Sequence, residues 1–163
     1  MANELAIQLA ERLANCRTRI VFAESCTGGL ISAEMARVPG ISEWLCGSAV
    51  TYRCETKSAW LDVSRNEIEV HTAVSDVVAS EMAEGVLRKT SEASLALSVT
   101  GHLGPGAPEG FDGLVFVGIA LRTSSDRIEI ETQRHQLLQS TRVARQSEAA
   151  AVVMQAAMSV LAE

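Results

Sequence analysis

The sequence predicts an α/β fold, with helices covering both faces of a mixed sheet. Three observations carry this. Short apolar or β-branched runs, "RIVFA" at 19–23, "CGSAVTY" at 46–52 and "SLALSVTG" at 94–101, alternate with stretches of helical periodicity. Two further runs, "LVFVGIAL" at 114–121 and "RIEIETQRH" at 127–135, are joined by "RTSSD", as in an antiparallel hairpin. Of the 163 residues, 47% are apolar but only 4% aromatic, enough for one core packed by Val, Leu, Ile, Ala and Met. The expected architecture is a single three-layer α/β/α domain over 1–163, its sheet mostly parallel with a late antiparallel hairpin.

The elements follow in order. Leu5, Ile7, Leu9, Leu13 and Ala14 mark a first helix over 3–15. The run at 19–23 is short, largely apolar and β-branched, as a buried strand is. Residues 28–37 read as a helix stopped by "VPG" at 38–40. A short helix around 54–61 carries Lys57 and Trp60. Ser75 has the character of an N-cap, with Asp76 favourable in the first turn, and Val78, Met82 and Val86 repeat along one face. In the last strand Ile128, Ile130 and Thr132 alternate with Glu129 and Glu131, the pattern of an exposed antiparallel partner. A final helix from about Thr141 aligns Ala149, Val153, Ala156 and Val160. That stripe serves either a homo-oligomer contact or packing within one subunit.

Charge and cysteine usage narrow the function classes. A formal net charge of -6 argues against a nucleic-acid footprint, yet leaves room for a small anionic ligand at a local site. No apolar run has the length of a membrane span. Cys16, Cys26, Cys46 and Cys54 show neither a CxxC pair nor zinc-ligand spacing with His71, His102 or His135, so no metal is expected. The N-terminus carries charges throughout and is no signal peptide, which points to a reduced, cytoplasmic chain.

In open α/β sheets, ligands bind beyond the strand ends. Three strand ends are polar here: 24–29, 52–57 and 100–106. The first, "ESCTGG", sets two nucleophiles, Ser25 and Cys26, at a strand-to-helix turn. Its glycines, Gly28 and Gly29, permit close backbone approach, and the following helix offers N–H groups to an anion. It lacks the GK[ST] of a Walker loop and the first glycine of GxSxG. An anion cradle, a catalytic elbow and a plain turn all fit this pattern. Of the 14 basic residues only Lys57 and Lys89 are lysines. Lys89 closes a helix beside Arg88, where a cation complements the dipole. Lys57 is either a surface lysine or a base whose pKa is lowered by desolvation. Tyr52, the single tyrosine, is either a rim residue or a phenol that relays a proton. Thr100 starts a turn or holds substrate, and His102 has no assignable acidic partner. Arg142 and Arg145 sit at the start of the last helix, a poor place for cations unless they meet an anion or Glu148. Cys26, without a histidine partner, ranks below Ser25 as nucleophile.

The segments "AESCTGG", "GSAVTYRCETK", "AVSDVVASEMAEG", "SVTGHLGPG" and "GLVFVGIA", in that order, resemble the CinA C-terminal domain family. Its enzymatically characterised members are nicotinamide-nucleotide amidases. The resemblance spans residues 4–162 and implies hydrolysis of nicotinamide mononucleotide to nicotinate mononucleotide and ammonia, without metal or cofactor. It implies a Ser–Lys apparatus of Ser25 and Lys57, preceded by Tyr52. Substrate contacts are then expected at Cys26, Thr27, Gly28, Gly29, Thr100, Gly101 and Gly104. The family's G-D-R arginine falls on Arg142 in "STR", with Arg145 as the fallback. The family habit favours a homo-oligomer, a dimer first. Many relatives carry a large N-terminal domain, which is expected to be absent because this chain opens at the first helix. His102 and Leu103, the acidic 107–113 stretch and "STR" depart from the pattern. These changes bear on substrate identity more than on the nucleophile. The alternatives are an inactive nucleotide-binding module and an amidase for another small amide.

Overall fold

The computed structural model describes residues 3–124 and 127–161. In chain order the elements are α1 (Glu4–Cys16), β1 (Ile20–Glu24), α2 (Leu30–Met35), a 3-10 turn at Ile41–Glu43, β2 (Leu45–Val50), α3 (Cys54–Leu61), α4 (Arg65–His71), α5 (Asp76–Lys89), β3 (Leu95–Gly101), β4 (Leu114–Ser124), β5 (Arg127–Gln136) and α6 (Arg142–Val160). The sheet order is β2-β1-β3-β4-β5. β1 pairs parallel with β2 and β3, β4 is antiparallel to β3, and β5 is antiparallel to β4. Four strands therefore run one way and β4 alone runs back. This is the mixed three-layer α/β sheet that the alternation of apolar runs implied.

Strand parity decides what each face buries. Ile20 and Phe22 of β1, Leu95, Leu97 and Val99 of β3, and Val115, Val117 and Ile119 of β4 face α1, α2 and α6 in one core. The opposite face offers small residues: Ala23, Ala96 and Ala120 meet Val78, Met82 and Val86 of α5. Small residues let α5 approach the backbone closely. Ser98 Oγ donates to the Ala79 carbonyl and accepts from the Gly118 N–H, and a Cβ on Gly118 would run into that same carbonyl.

The cap expected at Ser75 is present, together with two others. Asn3, Ser75 and Thr141 accept from the first turns of α1, α5 and α6. α2 is shorter than the expected 28–37. Gly29, at φ +98, is its N-cap, and residues 25–28 form a turn instead. β4 continues to Ser124, so Arg122 and Ser124 pair with Ile128 and Arg127 rather than forming the "RTSSD" turn. Ser125 and Asp126 of that turn lie outside the described residues. The α4 helix was not anticipated, although its N-cap was legible: Ser64 accepts from the Glu67 N–H in "SRNE". Ile7, one of the apolar residues that marked α1, is 40% exposed. Among the described residues no helix is long and apolar enough to cross a membrane.

α3 packs across α5, where Gly85 meets the Leu61 carbonyl with no room for a Cβ. Gly85→Ala is expected to destabilise the protein by about 1–3 kcal/mol through overpacking, read as a lower urea midpoint at unchanged m. A wild-type midpoint would show that the α3–α5 contact yields without cost.

Candidate active site

The parallel strands β1, β2 and β3 end on the same side of the sheet, in register through Glu24↔Val50 and Glu24↔Val99. The three polar strand ends singled out in the sequence thus converge. Between them lies a cavity of about 260 Å³ whose lining includes Ser25, Cys26, Tyr52, Lys57, Thr100 and Arg142.

Lys57 and Leu61 lie one turn apart on α3 and share its buried face, while Trp60 points to solvent. Lys57 is 1% exposed. Its Nζ lies 2.9 Å from Ser25 Oγ, 2.7 Å from the Thr51 carbonyl and 3.4 Å from the Tyr52 carbonyl. Burial lowers the Lys57 pKa below the usual lysine value of 10.5, opposed by Cys54 and Cys26, and no carboxylate is among the groups acting on it. The geometry suits a neutral amine. Once unprotonated, the amine can give its two N–H bonds to the two carbonyls and turn its lone pair to the Ser25 hydroxyl. An amine so placed can remove the serine proton.

Cys26 lines the same cavity, but burial pushes its thiol up to about 12, so it stays protonated at neutral pH and is a poor nucleophile. The Tyr52 phenol does not bridge Ser25 and Lys57, which already touch. It accepts a 2.8 Å bond from Arg142 Nη2 at the rim, which corrects the relay expectation. Thr100 donates its hydroxyl to the Ala73 carbonyl at 2.7 Å, bracing the segment before α5. Toward a ligand it keeps only acceptor capacity.

The two arginines separate. Arg142 Nη1 donates to the Gly104 carbonyl and Nη2 to Tyr52, so both partners are neutral and, among the described residues, no carboxylate pairs with it at the cavity wall. Arg145 grips Asp112 through two 2.8 Å bonds and also reaches the Leu103 and Gln139 carbonyls. That pair holds the Asp112 carboxyl below its usual value. Arg145 is therefore a clasp on the 102–113 loop and lies outside the cavity lining. Gly104, at φ +67, leaves the room that the clasp occupies, since a Cβ there would sit 2.7 Å from Asp112 Oδ1.

Thr27, Gly28 and Gly29 also lie outside the lining. The Gly28 N–H closes onto the Ser25 carbonyl and the Gly29 N–H onto the Glu24 carboxylate. The start of α2 is thus satisfied internally and is no cradle for a ligand. Sequence reasoning missed this use of Glu24, and missed Gln146, whose Nε2 donates to the Thr27 carbonyl at 2.8 Å. The only hint in the sequence was the placing of an acid directly before a glycine-rich helix start, where a carboxylate suits the dipole. Among the described residues no cluster has the donors to hold a metal ion.

Fold and site together define an α/β protein whose parallel strand ends carry a buried serine–lysine pair beneath a small cavity walled by one arginine. The CinA C-terminal domain family model matches residues 2–161, and the chain belongs to that family. A CinA-like protein of Myxococcus xanthus is 40% identical over 134 residues, covering 79% of this chain and 32% of the relative. One from Dictyoglomus thermophilum is 49% identical over 105 residues, 63% of this chain and 25% of that one. The chain thus matches a quarter to a third of the length of these relatives. Among solved structures, a CinA superfamily protein from Klebsiella pneumoniae superposes with a TM-score of 0.88 at 30% identity, covering 97% of this chain and 96% of its own. Its counterpart from Escherichia coli gives 0.86 at 26% identity, with 96% and 88% covered.

Proposed function

We propose that the chain hydrolyses the carboxamide of nicotinamide mononucleotide, giving nicotinate mononucleotide and ammonia. The observation that carries this reading is the 2.9 Å contact between Lys57 Nζ and Ser25 Oγ in a site that burial keeps largely free of water. Ser25 Oγ attacks the amide carbon as Lys57 takes its proton. The tetrahedral oxyanion is held by the backbone N–H groups of the turn after Ser25, where Cys26 lines the cavity. One such donor is worth roughly 3 kcal/mol in the transition state. Lys57 then passes its proton to the leaving nitrogen, ammonia departs, and Ser25 is left as an ester of the pyridine acid. Water attacks that ester with Lys57 again as base, and Ser25 is regenerated. Arg142, at the cavity wall, takes the phosphate.

The test is ammonia release from nicotinamide mononucleotide by purified protein. Turnover by wild type and none by Ser25→Ala supports the reading. Tight binding of the nucleotide without ammonia would assign a binding module instead. Equal turnover of nicotinamide without its ribose phosphate would assign a less selective amidase.

A further inference from the structure

Glu24 is wholly buried, directly precedes Ser25 and takes no part in the steps above. By parity it points to the same face as Ile20 and Phe22, toward α2. Its Oε2 accepts from Thr27 Oγ1 at 2.8 Å, the Gly29 N–H at 3.0 Å and the Ile31 N–H at 3.1 Å. Its Oε1 accepts from the Ser32 N–H at 3.1 Å and Ser48 Oγ at 2.9 Å. These five donors come from the turn after the nucleophile, the first turn of α2 and the edge strand β2.

We propose that Glu24 is a positioning residue for Ser25, a built-in anion at the start of α2 that fixes the 25–29 turn and leaves the substrate's anionic group to Arg142. The proposal rests on the amidase reading for the role of Arg142. The first step is one of saturation. A carboxylate has about four lone-pair sites, and five donors fill it. Because every partner donates, a carboxylate satisfies the set and a carboxamide cannot. Either orientation of a glutamine would turn its NH₂ toward at least one backbone N–H. The second step is one of direction. The N–H groups of Gly29, Ile31 and Ser32 are drawn to the α2 side, so they cannot receive a phosphate beside the nucleophile. Of the turn residues after Ser25, Cys26 lines the cavity. Among the described residues, Arg142 is the cation at the cavity with only neutral partners, in the wall formed by α6 and the Gly104 loop. A ligand with one amide and one anionic group therefore has a single productive orientation.

The experiment compares wild type, Glu24→Gln, Glu24→Ala and Ser48→Ala in two assays. One is turnover of nicotinamide mononucleotide. The other is the rate at which phenylmethanesulfonyl fluoride labels Ser25, read by intact mass with Ser25→Ala as blank, which requires no amide substrate. Glu24→Gln is expected to lower both kcat and the labelling rate by about 10²-fold, the usual consequence of a nucleophile displaced by about 1 Å, with KM within about twofold. Added formate is expected to fill the vacated carboxylate position in Glu24→Ala and recover part of its labelling rate, with no effect on wild type. A glutamate of purely structural value would lower the melting temperature, and formate would leave the labelling of the folded fraction unchanged. Wild-type kcat and labelling in folded Glu24→Gln would overturn the proposal. Should both Glu24 variants fail to fold, Ser48→Ala decides. It removes one of the five bonds from outside the cavity, so slower labelling supports the proposal and the wild-type rate overturns it. Were the amidase reading alone to fail, ammonia would be missing from every variant while the labelling rates still ranked as described.

Discussion

Lys57→Met is expected to lower kcat/KM for nicotinamide mononucleotide by about 10²–10⁴-fold, the usual range for loss of a general base, in a protein that stays folded. Methionine has a similar length and suits the buried position. It loses the bond to the Thr51 carbonyl, at about 1–3 kcal/mol, but no longer places an amine in a water-poor site. The pH dependence follows from burial as the main cause of the lowered Lys57 pKa. The base form is the unprotonated amine, so kcat/KM falls toward acid pH, along a limb below the ordinary 10.5. Between the lowered value and 10.5 the unfolded chain holds a proton that the folded chain lacks. Wild-type stability therefore rises with pH across that window, by at most about 1.4 kcal/mol per pH unit. Lys57→Met lacks this contribution. Urea melts of the two proteins at successive pH values measure the difference, and parallel stability curves would show that Lys57 is not titrating in a buried setting.

Arg142→Gln is expected to raise KM for the nucleotide and to leave nicotinamide riboside, which has no phosphate, unaffected. Arg142 has a carbonyl and a phenol as partners, so no internal acid competes with an incoming anion. A charge-assisted bond of this kind is worth about 1.5–3 kcal/mol, or roughly 10–150-fold in kcat/KM. Glutamine keeps hydrogen-bonding ability but loses the charge and the fork. Steady-state kinetics on the two substrates reads the difference directly. An equal loss on both would show that Arg142 supports the Gly104 loop rather than a phosphate. Tyr52→Phe, in contrast, should leave the acid limb of the pH profile in place, because the proton passes from Ser25 to Lys57 without the phenol.

Much of the layer arrangement was legible because apolar periodicity is a local property. Val78, Met82 and Val86 of α5 are buried at 0%, 0% and 4%, as their spacing required. The misses have equally physical causes. "TGGLISAEMAR" has the composition of a helix from Gly28, but Gly28 and Gly29 adopt positive φ, and α2 begins only at Leu30. The Glu24 carboxylate accepts from the Gly29, Ile31 and Ser32 N–H groups through contacts that no spacing rule announces. Arg142 and Arg145 share one turn of α6 and could not be told apart in sequence. Their partners, Gly104 and Tyr52 for one and Asp112 for the other, come from distant segments.

By itself the sequence determined the alternation of strands and helices, the core faces, the cap at Ser75, and the polar character of three strand ends. These depend on neighbours within a few residues. Only the tertiary structure decided that Lys57 is buried against Ser25, that Tyr52 pairs with Arg142, and that Glu24 rather than a ligand occupies the start of α2. The physical reason is that desolvation and hydrogen-bond partnership belong to three-dimensional neighbours. A lysine thirty-two positions from a serine acquires its chemistry only when β1 and α3 bring the two side chains to within 2.9 Å, away from bulk water.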